Sequence, residues 1–93
     1  MGTRARRKVR EDDIFALTRL LTTMVENIVD DAEMVEVRCS NGATDIRLSA
    51  EVGDDDIRFL KGHHGTTRDA LRRIMDSAGK ARGVMVRVNF PQL

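Results

Sequence analysis

Tryptophan and tyrosine are absent from the 93 residues, and only three phenylalanines occur. That scarcity argues against nucleic-acid binding of the kind that lays bases over several exposed aromatic rings. A single cysteine, Cys39, excludes an intramolecular disulfide framework, so a reducing compartment and a cytoplasmic location are expected. No apolar run reaches the length of a membrane span. The segment 14–29 comes nearest, but Arg19 and Glu26 interrupt it and its apolar residues recur with helical period, so no membrane partner is expected. The only histidines are adjacent, His63 and His64, and neighbouring side chains on a turn diverge. Neither a metal site nor a cofactor is expected from them. No nucleophile, base and orienting group stand out together, so the chain is not expected to be an enzyme.

What is present is charge, unevenly spread. The chain is 33% charged and 41% hydrophobic, with a net charge of +1. Residues 1–10 carry five bases and no acid, residues 11–56 carry thirteen acids against three bases, and residues 57–93 carry eight bases against two acids. Such polarity within one small domain suits an anionic partner on one face. Residues 1–10 lack apolar period and are expected to form a basic flexible arm, leaving residues 11–93 as the folded domain.

Apolar spacing supplies the elements. Glu11, Asp12 and Asp13 open a first helix whose apolar face is formed by Ile14, Leu17, Leu21, Met24 and Ile28, widened by Leu20, Val25 and Val29. Two alternating stretches follow, one with Val35, Val37 and Cys39 inward and one with Ile46, Leu48, Ala50 and Val52 inward. Asn41-Gly42 between them predicts a two-residue type I′ hairpin, which pairs Arg38 with Asp45, Val37 with Ile46 and Glu36 with Arg47. On that face Cys39 is expected as a buried apolar filler. A short helix over residues 54–61 leads to Gly62-His63-His64-Gly65. A third helix then places Ala70, Leu71, Ile74, Met75 and Ala78 on one face, with Thr66 and Asp69 at capping-box spacing and Gly79 at its end. The strand 84–90 turns Val84, Val86, Val88 and Phe90 inward before Pro91 stops it. A strand, two helices and a strand in this order make a crossover, so the last two strands are expected to be parallel.

The stretch between the second and third helices has a chemical use. Glycine lacks a Cβ and takes φ > 0 readily, so a sugar-phosphate backbone can come close to such a turn. The helix that follows aims its free N–H groups and the positive end of its dipole at an anion there. Helix, G-x-x-G, helix is the clamp of KH domains, which hold about four nucleotides of single-stranded RNA.

The run from Asp56 through Gly62-His63-His64-Gly65 to Ala70-Leu71 resembles the small bacterial single-KH-domain proteins, the KhpA-like family. The αββααβ order over residues 11–90 is similar to that family's type II KH fold. The resemblance implies an α+β domain with a three-stranded mixed sheet and three helices packed on one of its faces. It implies non-catalytic binding of single-stranded RNA, as an RNA chaperone or post-transcriptional regulator, with the bases in an aliphatic groove. The implied contact set is Arg58, Lys61, Gly62, His63, His64, Gly65, Thr66, Arg68 and Arg72. The resemblance also implies a homodimer, or a heterodimer with a larger Jag-like KH protein. Against the family pattern, Lys61 stands where an apolar residue is usual, and the two histidines stand where a Lys or Arg is usual. Arg68 and Asp69 also replace the usual apolar and basic residues, so the groove beside the loop is more polar. A KH-fold module for protein interaction or dimerisation, with little RNA affinity, is the alternative.

Overall fold

A computed structural model describes residues 6–93. In chain order the elements are α1 (Glu11–Glu26), β1 (Glu36–Asn41), β2 (Asp45–Glu51), α2 (Ile57–Lys61), α3 (Thr66–Arg82) and β3 (Met85–Asn89). The expected αββααβ order is therefore found. Single 3₁₀ turns at Ala32–Met34, Asp54–Asp56 and His63–Gly65 join them. The sheet is mixed, with β2 central, β1 antiparallel to it and β3 parallel to it.

The core lies between the helices and one face of β2 and β3. Ile46, Leu48 and Ala50 alternate inward from β2 and are buried, and Val84, Val86 and Phe90 are buried along β3 and its flanks. From α1 the fully covered column is Leu17, Leu21 and Val25, each four residues after the last, with Val29 continuing it beyond the helix. Ile14, Leu20, Met24 and Ile28 flank that column and are half-buried. The same happens on α3, where Leu71, Met75 and Gly79 are buried while Ala70 and Ile74 stay exposed. Each helix thus buries a narrower stripe than its apolar spacing suggested.

Gly79 does not end α3. It lies inside the helix where α3 crosses β3, and a Cβ there would fall 2.9 Å from the Val84 carbonyl oxygen and against the Val86 side chain. The left-handed residue that ends the helix is Gly83, φ 79°. The capping box at Thr66 and Asp69 does not form either, since Gly65 is the N-cap and the Asp69 carboxylate accepts from Arg68 Nε at 3.1 Å.

The hairpin differs from its expected form. Asn41 pairs with Ile46, Cys39 with Leu48 and Val37 with Ala50, so the connection is four residues long, and neither Asn41 nor Gly42 has positive φ. The cause lies outside the hairpin. The Ala43 carbonyl accepts the Val9 N–H at 2.8 Å and the Thr44 carbonyl accepts the Met85 N–H at 3.1 Å, so residues 43 and 44 serve other segments instead of closing on Ser40. The shift is an even number of residues, so inward and outward faces survive it. Cross-strand ion pairs are replaced by pairs along single strands, Arg38 with Glu36 at 2.8 Å and Arg47 with Asp45 at 3.5 Å. Cys39, expected to be buried, is exposed, because β1 is an edge strand that α1 covers incompletely.

The basic arm was expected to run to residue 10. Its first five residues lie outside the described residues, and from Arg7 onward the chain is tied to the domain. The Arg7 N–H donates to the Gly83 carbonyl at 2.9 Å, and Val9 packs against the core. Asp13, one helical turn before Leu17 in the buried column, is fully covered. Its carboxylate accepts both guanidinium nitrogens of Arg7 at 2.6 and 2.7 Å, the Arg10 N–H at 2.9 Å and Arg82 Nη1 at 3.1 Å. The Arg7 hydrogen bonds hold this carboxyl far below the usual carboxylate range. Burial opposes them, and the Arg10 N–H and Arg82 reinforce them.

This cluster makes a direct prediction. Asp13→Asn should cost about 1–3 kcal/mol of stability at neutral pH, the usual range for losing hydrogen bonds to charged groups when the partners left behind still reach water. Because the folded carboxyl titrates below the unfolded one, its contribution is complete above about pH 4 and is lost as the pH falls further. The stability gap between wild type and Asp13→Asn, followed by thermal melts, should be flat from neutral to mildly acidic pH and shrink below that range.

Candidate functional site

The turn between α2 and α3 is built from an unusual run of backbone angles. Leu60, fully buried, anchors the short α2, and the Gly62 N–H closes it onto the Arg58 carbonyl at 3.0 Å. Gly62 then adopts φ 73°, ψ 179°, a combination open to glycine alone. A Cβ on it would also fall 2.7 Å from the Thr67 backbone nitrogen. His64 (φ 55°, ψ 29°) and Gly65 (φ 78°, ψ 14°) are both left-handed. His64 is the only non-glycine residue with positive φ among the described residues. For an L-residue that conformation costs roughly 1–2 kcal/mol.

Both histidines stand exposed at the turn, with ring centroids 4.0 Å apart and planes tilted by 60°. Immediately after them α3 begins, 17 residues long, with no side chain capping its N-terminus. The backbone at Gly62–Gly65 is therefore approachable, and the end of a long helix dipole sits behind it. Among the described residues no three potential metal ligands converge anywhere.

The expected contact residues divide by position. Lys61, His63, His64 and Thr66 are exposed around the turn. Arg68, in the first turn of α3, folds its guanidinium back over the α-carbon of Gly65, where a Cβ would collide with it. Arg72, one turn further on the same face, donates to the Val88 carbonyl of β3 at 3.3 Å and lies 5.5 Å from the Phe90 ring centroid. Arg58 is set apart. Its guanidinium lies 4.8 Å from the centroid of the neighbouring Phe59 ring, and it borders a pocket lined by Asp30, Asp31, Asp54, Asp55 and Asp56. Asp56 is buried there and accepts the N–H groups of Asp30 and Asp31 at 3.2 and 3.0 Å. The acidic and basic segments of the sequence thus meet at opposite ends of α2.

One feature beside the turn was not anticipated. A groove of about 510 Å³ starts at Thr66 and Thr67 and runs between α3 and the end of α1. Met24, Ile28, Ala70, Leu71 and Ile74 make it almost wholly apolar, and Ile74 is 46% exposed. The signal for it was a second apolar column on α3, Ala70 and Ile74, beside the buried one. Periodicity alone merges the two columns into one face.

No protein-family model matches the chain, and no curated protein matches it significantly.

The turn can be tested by its backbone alone. Gly62→Ala should lower stability by about 1–2 kcal/mol or more, the strain of a left-handed residue plus the contact with Thr67. His64→Gly should relieve the same kind of strain, so its melting midpoint should not fall below that of the wild type.

Proposed function

We propose that the chain is a non-catalytic binder of single-stranded RNA built as a type II KH-like module, gripping the sugar-phosphate backbone at Gly62–Gly65. The observation that carries this reading is the turn itself. Left-handed residues at 62, 64 and 65 leave the backbone open to close approach directly ahead of the uncapped N-terminus of α3. The αββααβ order, with β2 and β3 parallel across the two-helix crossover, supports it at the level of architecture. Lys61, His63, His64 and Arg68 supply positive or protonatable groups around the phosphates, and Arg72 extends that side toward β3. The apolar groove lined by Met24, Ile28 and Ile74 offers aliphatic surface to bases whose backbone is held at the turn. Such a mode needs no exposed aromatic stack, in keeping with a chain that lacks tryptophan and tyrosine. Arg58 stands among carboxylates and contributes least.

Replacing both His63 and His64 by Asp should leave the melting temperature close to that of the wild type, because the side chains are exposed. RNA binding should nevertheless collapse, since two carboxylates would then face phosphates at short range. Fluorescence anisotropy with a short unstructured RNA reads both this loss and the salt dependence. A clamp on three or four phosphates gives a log–log salt slope of about −2 to −3. Wild-type affinity in the double Asp variant would remove the turn from the RNA site and favour a protein-interaction role.

Imidazole is the side chain that changes charge between about pH 5 and 8. Affinity should therefore tighten as the pH falls from 7.5 to about 6, and His63→Lys with His64→Lys should bind at least as well at pH 7.5 while losing most of that dependence. The acids of the pocket beside Arg58 are common to both proteins, so the comparison isolates the turn.

A further inference from the structure

β1 is an edge strand, and no other strand pairs with its outer side among the described residues. Its backbone groups can be sorted by parity. The Gly42 N–H donates to the Asp45 carbonyl across the hairpin, and Glu36, Arg38 and Ser40 share the parity of Gly42, so their backbone groups face β2. Those of Val37, Cys39 and Asn41 point to the open edge. Beside that edge, α1 and β1 leave a groove of about 520 Å³ lined by Ile14, Phe15, Val37 and Cys39. Phe15 is 68% exposed, and Cys39 is exposed. A flat edge strand with apolar residues beside it is a template for another strand.

The strand's own sequence selects the occupant. We propose that β1 pairs antiparallel with β1 of a second copy of this chain, in the register that sets Val37 opposite the partner's Val37. In that register Val37 and the partner's Val37 exchange two hydrogen bonds. Each Cys39 N–H meets the opposing Val35 carbonyl, which gives about four bonds in all. The Val35 N–H is not counted, because it is committed to the Ala32 carbonyl at 3.2 Å. The two positions between the hydrogen-bonded pairs place Glu36 opposite the partner's Arg38 and Arg38 opposite the partner's Glu36, at the closer spacing of non-hydrogen-bonded pairs. In the single chain these two side chains bridge each other at 2.8 Å and are 56% and 74% exposed, so they are free to exchange partners. Sliding by one pair would set Arg38 against the partner's Arg38 and lose both ion pairs. The two-fold axis of such a pairing stands perpendicular to the sheet, so α1 of both copies lies on the same face. Phe15, Val37 and Cys39 of each are then carried to the seam. The result is a continuous six-stranded sheet that leaves the turn at Gly62–Gly65 uncovered.

The test is a charge swap read by sedimentation over a protein concentration series. Wild type should pass from monomer to dimer as concentration rises. Arg38→Glu and Glu36→Arg should each weaken the dimer by about tenfold or more, because two attractive contacts become two repulsive ones by symmetry. The double swap, Glu36→Arg with Arg38→Glu, should restore it. Thermal melts at low concentration should match across the set, since both side chains are exposed. Register is read by oxidation. With Cys39→Ser in place, Val37→Cys should form an intermolecular disulfide, because Cα atoms of a hydrogen-bonded pair lie about 5.5 Å apart. A wild type that stays monomeric at every concentration would overturn the proposal. So would a swap that fails to restore the dimer, or a Val37→Cys variant that does not crosslink.

Discussion

A buried carboxylate with four donors holds together three parts of the chain that have no sequence proximity. Asp13 begins the buried column of α1, Arg7 comes from the segment before it, and Arg82 comes from the last turn of α3. Both carboxylate oxygens are satisfied twice over, which is the condition under which a charge can stay buried at all. The cluster also places two cations at the C-terminal end of α3, where the helix dipole favours them. Through it the segment 7–10 becomes part of the domain. The backbone bonds from Arg7 to Gly83 and from Val9 to Ala43 then hold the end of α3 and the hairpin loop in fixed relation. A four-residue connection at 42–45, where a two-residue turn was expected, is a consequence of that relation.

The other fixed point is the close approach of α3 to β3 at Gly79. With no side chain between them, the helix lies directly on Val84 and Val86. Leu60 pins α2 into the same core, and six residues separate the end of α2 from the first buried residue of α3's own column. The turn at Gly62–Gly65 spans that short gap, and its backbone is forced through positive φ at three of four positions. The strain at His64 is thus imposed by the anchoring on either side, which keeps the turn stiff enough to present the same surface each time. Charge follows the same division. The carboxylates gather at the start of α2, while Lys61, Arg68 and Arg72 follow its end.

Element order, the parallel crossover, the inward faces of all three strands and the helix-turn-helix at Gly62–Gly65 could be read from residue spacing. Each depends on a local period or on a residue with a distinctive backbone preference. Spacing was less informative about how much of each apolar face is covered. It could not separate Leu71 and Met75 from Ala70 and Ile74 on α3, because neighbouring columns of a helix lie close together and only packing decides which is buried. It took Asp13 for a helix-opening acid, although its place four residues before Leu17 was a visible sign of a charge in the core column. It took Gly79 for a helix stop, since a glycine that ends a helix and one that admits a close neighbour look alike in sequence.

The amino-acid sequence by itself determined the alternation of strands and helices, the glycine-bounded turn and the segregation of acids from bases, because these rest on chemistry within a few residues of each other. Only the tertiary structure decided the hairpin register, the exposure of Cys39 and Phe15 along the edge strand, and the commitment of Arg7, Arg72 and Arg82 to partners elsewhere in the chain. Those outcomes depend on which carbonyl or carboxylate is brought within about 3 Å of a donor by distant parts of the chain, and no local pattern encodes that distance.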